Sequence, residues 1–399
     1  MGFASGAVMF RRLYQTGRPI EGMSDELLET IAAHAFGKRG EASSDGIETG
    51  WIVPQHLFDV DFTDPERILF GRFLFLAMRL DRTAPPAGIV HSYRRMEEAA
   101  AREAGGSETL SRSDRRLAKE AAAGRAEKEA RAGMFRRIAA YPVLIDLNEG
   151  TVFLGNLGAV AGGKFLSLFS DTFDITLVPA TAEELAFRLA EEKGWQPSFE
   201  DAKPTYFVTP PTHFDVNGDA GLQDRSFLGR EFLLWLWSRC ETHEGLFELP
   251  RHGSVTIAIE KLMSLSCGFD LTGTAVLRSE VPASSPEAQA ALRIGKQPTK
   301  VGMMVNTSRA NWSFTLDAAT LNVTGLSIAK SEEEDPRDIL DDRFGQIADV
   351  ASLVDEVFAE FLARRLGQHW SDESNTLRRW ASNGKHAGSP EQRVQLASA

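Results

Sequence analysis

Two cysteines, Cys240 and Cys267, are all the thiol in 399 residues. A disulfide scaffold is excluded, and so few cysteines suit a reducing, cytoplasmic compartment. Long apolar runs are missing as well. The longest, Phe232–Trp237, is far too short to span a bilayer, so no membrane partner is expected. The N-terminus lacks the charged, apolar and cleavage regions of a secretory leader. Cationic excess is absent overall: the net charge is −12, from 44 Lys and Arg against 56 Asp and Glu. Taken alone, that charge argues against nucleic acid. No internal repeat is visible. What is present is a 43% apolar fraction, enough for a sizeable core and two or three packed subdomains.

Local pattern predicts an N-terminal α+β subdomain over 1–90. It contains a strand at Ala7–Tyr14 and a helix capped by Ser24 with Leu27, Leu28, Ile31 and Phe36 on one face. Gly50–Pro54 and Ile68–Leu80 read as strands, the second interrupted at Arg72 and stopped by Pro85-Pro86. Residues 91–142 form a helical finger, broken at Gly105-Gly106 and restarted by a capping box at Ser111–Asp114. Arg115–Arg131 is too poor in large apolar residues to bury much, so it should project. A central hairpin and α/β segment covers 143–194. An insert over 195–270 carries a Trp-bearing helix at Phe227–Arg239. A β-meander with a helix at Phe344–Leu366 fills 271–370 after an acidic loop at Glu332–Asp342, and 371–399 is polar enough to be a disordered tail. Antiparallel runs beside helices make the class α+β.

Several chemical signatures fail on inspection. Gly158–Lys164 fits the glycine-rich phosphate loop, but the next residue is Phe165, where a hydroxyl is needed to hold Mg²⁺. It reads better as a glycine-loosened helix start. Cys240, His243, His252 and Cys267 match no zinc spacing. Asp215–Asp219 begins like a calcium loop, but Ala220 and Ser226 replace the required Gly and Glu. A nuclease would need carboxylates converging on metal ions. Asp59, Asp61 and Asp64, or Glu332–Asp335, are the available groups, and a metal-dependent nuclease stands as the rival function. A third alternative is an interaction scaffold that uses the inserted Trp-bearing helix. No cofactor, metal ligand set or catalytic constellation is assigned.

Charge is segregated along the chain. Residues 91–140 hold 12 Lys and Arg against 8 Asp and Glu, leaving 32 against 48 elsewhere. This basic arm offers Arg94, Arg95, Arg112, Arg115, Arg116, Lys119, Arg125, Lys128, Arg131, Arg136 and Arg137 to phosphates. Counterion release would supply affinity, and with no recognition-helix layout the binding should be sequence-independent.

The order of motifs resembles the recombination-associated RdgC family. The resemblance runs from Val8–Tyr14 through Gly50–Pro54 and Arg79, Pro86 and Ile89. It continues through the charged helix ending in Met134-Phe135-Arg136-Arg137, then Leu144–Asp146 with Gly150. Far downstream it takes in Gly295-Lys296, Thr299-Lys300 and Trp312–Phe314. It covers roughly 7–190 and 270–365, with no counterpart for 195–270. It implies a horseshoe-shaped subunit, two of which close into a ring around double-stranded DNA and restrain a RecA-type recombinase in the nucleoid. It adds Arg79, Arg278 and Lys296 to the DNA-facing residues. It makes Phe135, beside Met134, the finger-tip aromatic of a homodimer contact. Near Arg278-Ser279-Glu280 the family has a basic pair where this chain has only Arg278.

Overall fold

The apolar run Phe73–Met78 is uninterrupted because its strand is buried on both faces. The computed structural model describes residues 2–20, 22–38, 46–106, 109–210, 225–269 and 273–383. There, Leu74, Leu76, Met78 and Leu80 of strand β4 (Phe73–Arg82) pack in one core with helices α1 (Asp25–Ala33) and α4 (Ala159–Phe173). Phe73 and Phe75 face the opposite core, where Phe344 of helix α9 (Pro336–Arg365) lies 4.8 Å from the Phe75 ring. β4 pairs with β2 (Ile47–Ile52) on one edge and β5 (Arg137–Asp146) on the other. β6 (Thr151–Leu154) follows β5 through the expected hairpin.

Strand β1 (Val8–Thr16) joins the two halves of the molecule. Val8 and Phe10 lie opposite Leu326 and Val323 of β13 (Val323–Ser327), whereas Arg11–Tyr14 lie opposite β6. Its last residues also pair with β7 (Thr176–Pro179). β13 continues through β12 (Asn311–Asp317) and β11 (Lys296–Asn306) to β9 (Gly253–Cys267). The short strands β8 (Leu246–Leu249) and β10 (Ala275–Leu277) edge β9. All these ladders are antiparallel, and helix and strand make up 43% and 26% of the chain, so the class is mixed α and β as expected.

The segments read as separate subdomains share one sheet and two cores, since the first strand is completed by the last meander. The inserted helix α7 (Phe227–Thr242) is central. Leu228 through Ser238 are buried at all but one position, against β11, α9, α5 (Ala182–Lys193) and α10 (Trp370–Asn383). A Cβ on its Gly229 would lie 1.8 Å from the Ala318 carbonyl oxygen, so glycine is required for that approach. Glu231, 1% exposed, bonds Arg365 at 2.5 Å and the Thr205 amide at 2.6 Å.

Four expectations are corrected. The tail from Ser371 is helical to Asn383: α10 is polar overall but lays Trp370, Leu377, Trp380 and Ala381 over α7, with Trp380 edge-on to Trp237 at 5.2 Å. The acidic loop ends at Asp335, which caps α9, so that helix starts eight residues before Phe344. The strand that the alternation at Val255–Ile259 predicts continues as β9 to Cys267, because a bulge at Lys261 (φ 63°) turns that side chain outward and lets Met263, Leu265 and Cys267 resume burial. The short helix α6 (Gln196–Glu200) lies in 195–226, a Pro-, Gly- and Asp-rich stretch expected to be loop, while α8 (Pro286–Arg293) and β8 are elements for which the sequence raises no expectation. The Asp215–Asp219 motif lies outside the described residues, as does the middle of Phe269–Leu277, a stretch whose pattern predicts a strand. Among the described residues no helix is long and apolar enough to cross a membrane.

Candidate nucleic-acid interface

The basic arm is a helical hairpin inserted between β4 and β5. Helix α2 (Ala87–Gly105) follows Pro85-Pro86, turns at Gly106 in the left-handed conformation, and α3 (Arg112–Arg131) returns. The Ser111–Asp114 capping box is formed in both directions. Neither helix packs extensively on any other element, so the hairpin projects. At 20 residues, α3 extends about 30 Å.

One seam holds the hairpin together. Ala118, Ala122, Ala126 and Ala130 are its buried residues, spaced four apart so that they form a single ridge. Near the base, the Tyr93 hydroxyl donates to Glu129 at 2.5 Å and Arg125 covers the Tyr93 ring at 4.3 Å. The alanine spacing is visible in the sequence; the Tyr93–Glu129 clamp, between residues 36 apart, has no local signal.

Helical periodicity sends the basic residues away from the seam. Arg112, Arg116 and Lys128 share one row of fourfold spacing, and Arg115, Lys119 and Arg131 share the next. Arg95, Arg112, Arg115, Lys119, Lys128 and Arg137 are exposed, with no ion pair among the described residues. Others are partly neutralised within their own helix: Arg94 by Glu98 at 2.8 Å, Arg125 by Glu129 at 3.3 Å, Arg131 by Glu127 at 2.7 Å and Arg116 by Glu120 at 3.8 Å. The distal half of α3 is the most cationic part, because Arg112, Arg115, Arg116 and Lys119 face only Asp114, which the cap occupies, and Glu120, 3.8 Å from Arg116.

The residues assigned by resemblance scatter. Arg79 is 4% exposed, bound to Asp81 at 2.8 and 2.7 Å, and sandwiched by the Phe36 and Phe58 rings. Buried and paired in this way it is not a DNA-facing residue, contrary to what the resemblance implies. Arg278 is exposed just after β10, and Lys296 is half-buried opposite Cys267. Leu277 lies opposite Met263 on one side of β9 and Lys296 opposite Cys267 on the other, so the two cations are about five residues and two strands apart, roughly 20 Å. Five strand steps separate β11, and seven β10, from β5 at the hairpin's base, roughly 24 and 34 Å along the sheet.

The finger-tip position of Phe135 is also corrected. Met134, 67% exposed, and Phe135, half-buried, occupy the turn between α3 and β5. Arg137 lies opposite Arg82, the last residue of β4. The turn is therefore at the hairpin's base, and the opposite end is where α2 ends near Gly106 and α3 begins at Arg112.

The other signatures have structural roles. Gly158 precedes α4, whose Phe165 is fully buried 6.2 Å from Trp51, and Gly162 makes room for the Arg11 guanidinium. Asp59 and Asp61 both engage Arg67, and Asp64 caps the short 3-10 turn Pro65–Arg67. His252 pairs with Glu356 at 2.7 Å, and Cys240 donates to the Ile257 carbonyl. Among the described residues no group of three or more His, Cys, Asp or Glu is placed to hold a metal. The inserted helix cannot dock a partner through its tryptophans, since Trp235 and Trp237 are 1% and 0% exposed. No protein-family model matches the chain, and no curated protein matches it.

Proposed function

We propose that this protein binds double-stranded DNA without sequence preference, through the outer rows of α3. The observation behind this is the concentration of Arg112, Arg115, Arg116 and Lys119 on a projecting helix of an otherwise acidic chain. A helix so placed meets a polyanion before the acidic body does, and it carries no base-reading layout. The resemblance to the RdgC family extends the proposal. Two subunits close into a ring through the Met134–Phe135 turn, with Arg278 and Lys296 facing the duplex from the other half of the molecule. The bound ring restrains a RecA-type recombinase on the same DNA.

Fluorescence anisotropy with random duplexes at several salt concentrations tests the binding. Each phosphate contact adds about −0.9 to the log–log salt slope. Arg115→Ala with Arg116→Ala should make the slope shallower by close to two contacts, with stability changed by less than about 0.5 kcal/mol. Salt-independent affinity, or a strong preference for one sequence, would refute the proposal.

A further inference from the structure

Two joints decide where the hairpin points. The outgoing chain leaves β4 at Arg82 and enters α2 through Pro85-Pro86, whose φ angles are fixed by their rings. The returning chain leaves α3 at Arg131, turns through Gly133 (φ 84°) and enters β5 at Arg137. Among the described residues neither helix packs extensively elsewhere, so the hairpin's orientation rests chiefly on these two joints.

The returning joint holds an ion pair to a buried carboxylate. Arg136 places Nε at 2.8 Å and Nη2 at 2.6 Å from one oxygen of Asp81. Asp81 is 1% exposed and also takes both forks of Arg79. Arg79 is immobilised in turn, 4.0 Å under the Phe36 ring and 4.9 Å from the Phe58 ring, and it donates to the Leu57 carbonyl at 3.2 Å. Arg136 is thus tied to a carboxylate that cannot follow it. Its neighbour Arg137 has the same charge, is exposed and has no ion pair among the described residues.

We infer that the Asp81–Arg136 pair anchors the hairpin, so that Arg136 is a positioning residue for duplex binding and not a phosphate contact. This rests on the DNA-binding proposal for its consequence, though not for the anchor itself. The leverage is large: a rotation of about 20° at the base moves the end of a helix this long by roughly 10 Å. The cations displaced most would be those at Arg112–Lys119, the ones best placed for phosphates.

Arg136→Ala, Arg136→Lys and Arg137→Ala separate anchoring from simple charge. Asp81→Asn is less suitable alone, because it leaves Arg79 buried without its carboxylate and risks the fold. Hydrogen exchange in the free protein reads the anchor directly. Arg136→Ala should accelerate exchange across residues 132–139, Arg136→Lys should do so less, and Arg137→Ala should leave it unchanged. In salt-titrated duplex binding, Arg136→Ala should weaken affinity about fivefold with the slope retained, because the phosphate contacts persist but are misdirected. Unchanged exchange in Arg136→Ala would overturn the anchor. A slope reduced by about 0.9 would make Arg136 a phosphate contact and overturn its positioning role. Were the unmodified protein to show no duplex affinity, the DNA-binding proposal would fall while the exchange result still decided the anchor.

Discussion

A buried carboxylate between two guanidiniums responds to acid in a fixed direction. Burial alone pushes the Asp81 carboxyl up, but the hydrogen bonds and charges of Arg79 and Arg136 outweigh it and hold it below its ordinary range. The ionised form is therefore favoured in the folded state. Its contribution is fully present above the unfolded carboxyl's pKa of about 3.9 and is lost as pH falls through the lower folded value. Asp81→Asn should cost about 3 kcal/mol at neutral pH. That deficit should hold down to the ordinary carboxyl range and shrink below it, as the unmodified protein also loses the charge. Urea unfolding of both proteins between neutral and strongly acidic pH checks this. A deficit that widened in acid would mean Asp81 is destabilised as an anion. The same contrast separates arginines of equal charge: Arg79 and Arg365 are 4% and 7% exposed and paired with buried carboxylates, whereas Arg115 and Lys119 end in solvent.

At the level of elements, the hairpin and the body are stabilised by different means. The body has large apolar cores; the hairpin has one alanine seam and a polar clamp near its base. Ala122, fully buried mid-seam, is the position to probe, since a short charged side chain there can neither pair nor reach water easily. Ala122→Asp should unravel the hairpin, seen as rapid amide exchange over α2 and α3 and weaker duplex binding. The main unfolding transition should move by less than about 0.5 kcal/mol. A large drop in that transition would show that the hairpin and body fold as one unit. What was legible in the sequence follows the same division. β4, the later part of β5, α5, α7 and most of α9 carry apolar periods long enough to read, and the Ser111 and Thr181 caps announce their helices, whereas the start of β5 at Arg137 falls inside the stretch expected to be helical finger. α10 was missed because its few apolar residues are diluted among charges and acquire meaning only against α7. Phe135 was misplaced for a related reason. Whether Gly105-Gly106 kinks one long helix or reverses the chain depends on Arg82 meeting Arg137 across β4 and β5, a contact 55 residues apart with no local signature.

Across the whole molecule, charge and connectivity pull in one direction. The body is acidic, the hairpin is cationic on its outer rows, and the chain re-enters the sheet at the one turn that exposes Met134 beside half-buried Phe135. If that turn meets a second subunit, as the resemblance implies, the contact joins the hairpins where they leave their bodies. Arg137 and the tied Arg136 then border the opening. An aromatic anchor in such a contact can carry a few kcal/mol of association, so its loss should act on assembly first. Phe135→Ala should therefore leave a folded subunit, because Phe135 is only partly buried and large-to-small costs scale with burial. Size-exclusion light scattering should show weaker self-association. Retention on nicked circular duplex after a salt wash should fall more than affinity for a short linear duplex, because only a closed ring is trapped topologically on a circle. A variant that unfolds would place Phe135 in the core instead. One that assembles normally and stays on circles would remove this turn from the subunit contact and leave α3 as the whole of the DNA-binding proposal.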